Sequence, residues 1–391
     1  MNVIATSTAA YVYSSTVNDT LVVAPNVTVA GIRAFANGVQ LINYGTASND
    51  TVSGVVIDTD KTATFINKPQ GVVATTVSDP TYSAVVVNGH GTVNNQGTIL
   101  SVTHGIVLDS VANNVTIVNS GDLYAGLNGI WLKPSSAASV SIVNTGEIWG
   151  DANGIHMQNA VGAAPLIFNS GIITGRFNAI VASDGERLNV TNNGTLQGHV
   201  VSVTTNGADS VTNNGKIVGD VKLGSGSDLY KGVGTVSGTV YGEAGVDTLI
   251  GGNSTDRLNG GADGDKLTGG LGIDYETGGL GNDTFVFNTP VSASNRDVIT
   301  DFHNVSGDND TFQLENAYFT KIGAGVGASH VLNPAYFFSG AAAHDTNDYI
   351  VYNPATGYLS YDSNGNASGG ATLLAVLVNK PALTYADFVV I

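Results

Sequence analysis

Five aspartates recur at nine-residue intervals between Gly242 and Val286, and they are Asp247, Asp256, Asp265, Asp274 and Asp283. Each belongs to a unit with the dominant pattern Gly-Gly-x-Gly-x-Asp-x-apolar-x, which the last unit matches at every position. Glycine permits positive φ and close approach of neighbouring turns, so backbone carbonyls can converge with the carboxylates. Ca²⁺ takes about six to eight such oxygens at about 2.3–2.6 Å. The spacing therefore predicts a series of calcium sites.

The candidate ligands in this stretch are the aspartates and the glycines of the turns. In chain order they are Gly245, Asp247, Asp256, Gly260, Asp263, Asp265, Gly269, Gly272, Asp274, Gly278, Gly281 and Asp283. Four positions depart from the pattern: Glu243, Ser254 and Asp263 replace motif glycines, and Glu276 replaces an apolar residue. The sites around Asp265 and Asp283 follow the pattern best. Not every turn is therefore expected to bind its full share of calcium.

A nine-residue repeat is too short for a helical hairpin but accommodates one short strand and one tight turn. The winding predicted is a parallel β-roll, with the apolar eighth positions in its interior: Leu249, Leu258, Leu267 and Phe285. A Gly/Asp-rich linker has no reason to keep aspartate and leucine in register. These residues resemble the RTX, or haemolysin-type, calcium-binding repeat of secreted bacterial proteins. The resemblance implies several Ca²⁺ ions as the cofactor.

A looser repeat of roughly 24 residues precedes the roll, marked by Asn-x-Gly followed by a polar and an apolar residue. Its asparagines are Asn43, Asn67, Asn95, Asn119, Asn144, Asn169, Asn192 and Asn213. A second marker, typified by Gly129-Ile130, lies between them, so each rung contains three short alternating strands. The pattern predicts about eight rungs of a right-handed parallel β-helix from Gly31 to Gly219. Its asparagines tolerate left-handed backbone and can bond along their column. The architecture resembles autotransporter and adhesin β-helices.

The segments 295–302 and 307–314 resemble those that close the roll in serralysin-type proteins. That resemblance implies that Asp297, Asp301 and Asp310 add calcium ligands, the alternative being ordinary turn residues. Residues 348–391 contain predicted antiparallel strands. The loop from Asp362 to Asn366 begins like an EF-hand, but Leu373 lies where the bidentate Glu is needed, so a turn is predicted. Residues 386–391 resemble the uncleaved C-terminal signal of type I secretion.

The predicted fold class is all-β, with three domains. Residues 1–223 form a parallel β-helix, residues 224–290 a calcium-binding β-roll, and residues 291–391 a small antiparallel C-terminal β domain that carries the secretion signal.

Charge is concentrated in the second part of the chain. Residues 1–223 hold 8 basic and 13 acidic residues, a net charge of −5, whereas residues 224–391 hold 6 and 18, a net charge of −12. Such a field disfavours nucleic acid and anionic membranes as partners. Bound calcium relieves the repulsion, so this part is expected to be loosely folded without it.

The chain has no cysteine, so disulfides and thiol chemistry play no part. No stretch reaches about 18 apolar residues, so no membrane insertion is predicted. The first six residues have neither a basic region nor an apolar run and do not resemble a Sec-type signal. Export by another route is therefore expected, and with it an extracellular or cell-surface location.

Two outward columns of the β-helix bear on catalysis: Val107, Trp131, His156 and Val181, and beside them Asp109, Lys133, Gln158 and Ser183. Trp131 beside His156 could stack a sugar ring, but scattered surface residues are the favoured explanation of the columns. The histidines show no metal-ligand spacing, and no nucleophile elbow or phosphate loop is present. A non-enzymatic protein is predicted, and a polysaccharide lyase or epimerase is the alternative.

The predicted function is that of an extracellular calcium-binding structural protein: an adhesin, surface-layer, matrix or filament subunit. A β-helix has open ends whose unpaired strand edges can template another chain. The β-prone stretch from Ala9 to Val17 either caps the first rung or pairs with a neighbouring subunit. Calcium-dependent self-association is therefore expected, and a cell-surface polysaccharide is a further candidate partner.

Overall fold

The structure is a computed structural model that describes residues 2–4, 8–49, 53–57, 61–76, 78–79, 82–109, 114–133, 139–158, 164–203, 207–327 and 329–391. Residue 1 and residues 5–7, which belong to the stretch compared above with a Sec-type signal, lie outside this set. Strands make up 55% of the structure and helices 2%, which confirms the all-β class. The chain divides into two compact units, Met1–Asp220 and Val221–Ile391. The three-domain division stays a prediction.

Unit 1 is a parallel β-helix with three stacks of strands. The asparagine stack contains Asn2–Ile4, Thr20–Val23, Val39–Asn43, Thr62–Asn67, His90–Asn95, Val115–Asn119, Val140–Asn144, Leu166–Asn169, Asn189–Asn192 and Ser210–Asn213. The second stack contains Thr46–Asn49, Val72–Thr75, Thr98–Ser101, Asp122–Ala125, Glu147–Gly150 and Lys216–Val218. The third contains Thr8–Ser14, Val55–Ile57, Ser83–Val87, His104–Asp109, Asn128–Lys133 and Asn153–Gln158. Three longer strands take part in both of the latter stacks: Thr28–Ala34, Ile172–Ser183 and Thr195–Ser202.

Alternation of side chains builds the interior of unit 1, because every second residue of a strand points inward. In the asparagine stack, Leu41, Phe65, Val93, Ile117 and Ile142 lie in register and are fully buried. The asparagines that end these strands are also fully buried, and each donates from Nδ2 to Oδ1 of the next at 2.7–2.9 Å, from Asn43 to Asn213. The predicted bonding along the column is therefore present.

Two sequence-based expectations for unit 1 were wrong. The asparagine stack begins upstream of Gly31, since Asn2–Ile4 pairs with Thr20–Val23 and Thr20–Val23 pairs with the next strand. Strand Thr8–Ser14 is likewise an additional rung, parallel to Thr28–Ala34. The ladder asparagines also do not adopt positive φ. Their side-chain amides, which hydrogen-bond to one another in the interior, explain these asparagines, whereas tolerance of a left-handed backbone does not.

Unit 2 begins with a parallel roll of two stacks. The first roll stack contains Leu229–Gly232, Thr248–Ile250, Lys266–Thr268, Thr284–Phe287, Thr311–Leu314 and Phe388–Val390. The second contains Val221–Lys222, Val240–Ala244, Arg257–Ala262, Tyr275–Leu280, Asp297–Ile299 and Ala371–Leu377. Thr248 pairs with Lys266, 18 residues later, so two nine-residue units make one complete turn. The predicted interior residues Leu249, Leu258, Leu267 and Phe285 are buried.

The rest of unit 2 completes the roll and adds the predicted antiparallel region. Ile350–Asn353, Tyr358–Asp362 and Ala371–Leu377 pair antiparallel, and Phe337–Ser339 joins parallel to the first of them. The remaining elements are the strands Thr235–Val236, Asn304–Val305 and Asp308–Asn309 and the 3₁₀ helices Pro334–Tyr336 and Tyr385–Asp387. Residues 363–366 form a turn, as predicted. Phe388 of the last strand stacks on Phe312 at 5.1 Å, which anchors this strand in the core.

Candidate metal centre

The repeated aspartates form two rows, because consecutive nine-residue units lie on opposite stacks of the roll. One row contains Asp228, Asp247, Asp265, Asp283 and Asp310, and the other contains Asp256, Asp274 and Asp297. Within each row, Oδ1 of an aspartate accepts a hydrogen bond from the backbone N–H of the aspartate one turn earlier, at 2.7–3.1 Å. These bonds fix each carboxylate over its neighbouring turn.

The second carboxylate oxygen has no protein partner at four positions. Oδ2 of Asp247, Asp265, Asp274 and Asp283 is buried without a hydrogen bond, and these residues are at most 2% exposed. A buried, unpartnered carboxylate oxygen is unfavourable by about 1–3 kcal/mol or more, so a native structure that repeats it four times requires a reason.

A glycine lies directly beside each of these oxygens, where a side chain would collide with the carboxylate. A Cβ added to the first glycine of a unit would lie against Oδ2 of the aspartate five residues later, and the pairs are Gly242 with Asp247, Gly251 with Asp256, Gly260 with Asp265, Gly269 with Asp274 and Gly278 with Asp283. On Gly260 the added atom would also lie 2.6 Å from the carbonyl oxygen of Gly278, in the next turn. At this position a carboxylate oxygen and a carbonyl oxygen therefore lie against the same glycine.

The other motif glycines build the turns. Gly245, Gly272 and Gly281 have φ between 114° and 133°, where a side chain is strained. An added Cβ on each would press on a carbonyl of the preceding turn, that of Gly226, Ser254 or Asp263 respectively. The sequence-predicted glycines thus include both those beside Oδ2 and those that let the turns stack closely. Gly242 and Gly251 were missed, although they occupy the same motif position as Gly260.

Burial makes these carboxyls hard to ionise. It is the main cause that raises the pKa of Asp265 to about 8, and nearby Asp247, Asp283 and Asp263 raise it further. The pKa is likewise raised to about 7 for Asp247, Asp297 and Asp310 and to about 6 for Asp274 and Asp283, with burial the largest cause in each. None of the salt bridges in the described part of unit 2 involves these six aspartates. A bound cation would supply the missing countercharge.

Two of the four departures from the motif keep a glycine-like backbone. Glu243 and Asp263 stand where glycine is expected and keep its backbone, with φ of 78° and 76°. Asp263 is exposed, and its carbonyl faces Gly281 of the next turn. The second unit, which has Ser254 in place of a glycine, differs at its aspartate. Oδ2 of Asp256 accepts a hydrogen bond from Gly252 N–H at 2.8 Å, so this carboxylate already has a partner.

The closing segment places its three predicted ligands differently. Asp297 and Asp310 continue the two rows, and both are buried. Oδ1 of Asp301 accepts from Gly278 N–H and Oδ2 from Gly279 N–H, both at 2.9 Å. Asp301 therefore orders the turn of the last repeat through its backbone amides.

The donor set fits Ca²⁺. It consists of hard oxygens only, from carboxylates and peptide carbonyls, repeated on successive turns and already held by backbone hydrogen bonds. Glu276 adds a carboxylate inside the roll, where it is 1% exposed and Oε1 has no partner. Burial raises its pKa well above the usual range, followed by the charges of Asp297 and Asp274.

No known family matches. No protein-family model matches the chain, and no curated protein or solved structure matches it either. The described residues include no helix with the length and hydrophobicity of a membrane span.

A second group of potential ligands, absent from the sequence-based set, lies in the loop at His344, Asp345 and Asp348. Oδ2 of Asp348 accepts hydrogen bonds from the backbone N–H groups of His344 and Asp345 at 2.7 and 2.9 Å. The other two side chains are exposed. These contacts explain the cluster as a loop held by its own backbone.

The two columns of unit 1 are in the predicted register, with Trp131 beside His156, but Val107 and Val181 are buried instead of lying on the open surface as predicted. Trp131 lies between His104, at 4.4 Å, and His156, at 6.2 Å between ring centroids, while Lys133 Nζ is 3.6 Å from its ring. Burial is the main cause that lowers the pKa of both histidines, to about 4 for His104. The ring of Trp131 is therefore packed against the protein's own side chains instead of being free to stack a sugar.

Proposed function

We propose that the chain is an extracellular structural protein of the adhesin, surface-layer, matrix or filament type, whose roll binds several Ca²⁺ ions and folds fully on binding them. The observation that carries the proposal is the buried, unpartnered Oδ2 of Asp247, Asp265, Asp274 and Asp283. These oxygens recur turn after turn beside glycines, and at Asp247 and Asp265 a carbonyl of the next turn lies against the same glycine.

Calcium would supply positive charge and a bridge between successive turns. The chain's own residues do the positioning: Oδ1 of each aspartate accepts the backbone N–H of the turn before, and Oδ2 thereby lies against the glycine five residues earlier. Without a cation, each buried carboxyl must either hold a proton or remain charged and unpaired. Calcium binding would therefore contribute directly to folding.

Self-association is proposed from the first rung of unit 1. In the described residues, strand Asn2–Ile4 pairs only with Thr20–Val23, and Thr8–Ser14 pairs only with Thr28–Ala34. An open strand edge can pair with another chain. Next to it, Tyr13 and Phe35 contact each other edge-to-face at 5.9 Å and are 63% and 37% exposed. A second copy could bury both.

Export by type I secretion is proposed from the residues at 386–391. In the folded protein Phe388 and Val390 are buried and their strand pairs with Thr311–Leu314. An export machine could therefore read this segment only in the unfolded chain. If the chain folds only when it meets extracellular calcium, this segment stays accessible to the secretion complex until export is complete.

Titration of Ca²⁺ into the metal-stripped full chain tests the proposal. Far-UV circular dichroism should gain strand signal, the melting temperature should rise, and calorimetry should detect several sites, with Mg²⁺ as the control. Sedimentation velocity in Ca²⁺ and in EGTA tests assembly separately. Absence of any change in spectrum, melting temperature and heat would overturn calcium binding. A monomer in both solutions would overturn only self-association.

A further inference from the structure

The second stack of unit 1 presents an open groove of about 510 Å³ on its outer face. Its lining includes Ala74, Leu100, Val102, Tyr124, Gly126 and Trp149. Leu100, Tyr124 and Trp149 pair in register on three consecutive rungs, so their side chains point outward one above another. Tyr124 and Trp149 of this set are called the aromatic column below.

Glycine shapes the edge of the groove. A Cβ on Gly126 would collide with the carbonyl of Val102, one rung earlier, so the corner carries no side chain at that rung. Val102 and Leu100, which are 48% and 40% exposed, leave apolar surface open to solvent on the same side.

Carboxylates border the aromatic column on its other side. Asp122 and Glu147 occupy consecutive rungs, two residues before Tyr124 and Trp149 respectively. The Tyr124 hydroxyl donates to Glu147 Oε2 at 3.0 Å, which fixes both side chains at the rim. The lining residues include no lysine, arginine or histidine.

We propose that the aromatic column binds a neutral glycan chain lying along the stack. The apolar faces of sugar rings pack on Tyr and Trp, and the carboxylates accept hydrogen bonds from sugar hydroxyls, the combination of apolar wall and few polar groups found in ligand sites. Rungs about 4.8 Å apart repeat the wall along an extended chain. Polyuronates should bind more weakly than neutral glycans, because Asp122 and Glu147 repel them.

This inference goes beyond the calcium proposal, since the groove lies in unit 1 and includes none of the candidate metal ligands. The test uses the calcium-loaded full chain, with neutral hexa-oligosaccharides of glucose, mannose and xylose as probes and alginate oligomers as the anionic comparison. Tryptophan fluorescence and calorimetry report binding. The variants are Trp149→Ala and Tyr124→Ala, with Trp131→Phe as the matched control because Trp131 is packed between two histidines.

At least one neutral oligosaccharide should bind, and each groove variant should weaken it by about tenfold or more. The melting temperature should fall only slightly, because both side chains lie on the outer face, although Tyr124→Ala also removes the hydrogen bond to Glu147. Trp131→Phe should bind like the parent. Three results would overturn the inference: no binding of any neutral probe, preferential binding of alginate, or unchanged affinity in both groove variants. Loss of self-association in Trp149→Ala, without glycan binding, would assign the groove to a second copy of this chain instead.

Discussion

Replacing Asp265 with asparagine separates the two roles of its carboxylate. Oδ1 accepts the Asp247 backbone N–H at 2.8 Å, and the asparagine carbonyl can keep that bond. Oδ2 has no partner and lies near the carbonyl of Gly278, to which an amide N–H₂ could donate. Asp265→Asn should therefore stabilise the calcium-free protein and impair its response to calcium.

The pKa of Asp265 gives the size of the stabilisation that Asp265→Asn should cause in the calcium-free protein. Folding raises this pKa from 3.8 to about 8, so the folded state holds a proton that the unfolded state releases. The calcium-free protein must therefore lose stability as the pH rises from about 4 to about 8. At about 1.4 kcal/mol per pH unit, the loss reaches on the order of 5 kcal/mol near pH 7.5. Asparagine does not titrate, so the variant should recover up to this amount there and almost nothing near pH 4.

With calcium present, Asp265→Asn should instead destabilise the protein. A ligand at 100 times its dissociation constant stabilises the folded state by about 2.7 kcal/mol per site, and the variant should lose the contribution of the site at Asp265. The assay is urea unfolding of both proteins at about pH 4 and pH 7.5, each in EGTA and in Ca²⁺.

Two aspartates provide controls for this experiment. Asp301→Asn removes an acceptor from Gly278 or Gly279, so it should destabilise the protein even in EGTA. Asp151→Asn changes an exposed residue of unit 1 and should have little effect. The reasoning fails if Asp265→Asn destabilises the calcium-free protein at pH 7.5, or if it retains the full calcium response.

Three further substitutions test other parts of the fold. Asn144→Ala should lower the free energy of unfolding of unit 1 by about 2–4 kcal/mol in urea, because it leaves the buried Oδ1 of Asn169 without its donor and reduces the acceptors of Asn119 Nδ2 to the carbonyls of Gly121 and Glu147; a loss below about 0.5 kcal/mol would contradict the role of the ladder. Glu276→Leu should raise the melting temperature of the calcium-free protein and its unfolding free energy by about 2 kcal/mol, since it removes a buried carboxyl whose Oε1 has no partner, whereas destabilisation would mean that the lost hydrogen bond with the Gly269 backbone outweighs this gain. Glu243→Gly should stabilise the roll by about 1 kcal/mol, because glycine adopts the φ of 78° without strain; a lower unfolding midpoint would show that the Glu243 side chain contributes more than its backbone strain removes.

The fold could be read from the sequence because its repeats are short and its strand signals local. Each Asn-x-Gly marks a corner, and each inward apolar residue, such as Ile142, follows from alternation along one strand. The buried asparagine ladder followed from the same register, since residues at equivalent positions of successive rungs must stack. The antiparallel strands around Tyr358–Asp362 were also predictable from their turns.

The calcium candidates were predictable as residue types, but their geometry was not. The nine-residue period gave the aspartates, yet only the folded roll separates Asp265 and Asp274 into different rows and leaves Oδ2 of each without a partner. It also assigns the oxygens of Asp301 to backbone amides and gives Glu243 a glycine-like φ. These facts depend on which atoms of the next turn lie nearby.

Long-range pairing explains the remaining differences. Phe388–Val390 joins a strand more than seventy residues earlier in the chain, at Thr311–Leu314, and no local pattern specifies that partner. The same holds for the aromatic surface of unit 1: the sequence singled out Trp131, which packs between two imidazoles, while the open groove lies at Trp149. Residue types and their period were determined locally, whereas burial, hydrogen-bond satisfaction and access to solvent were decided by contacts between distant rungs.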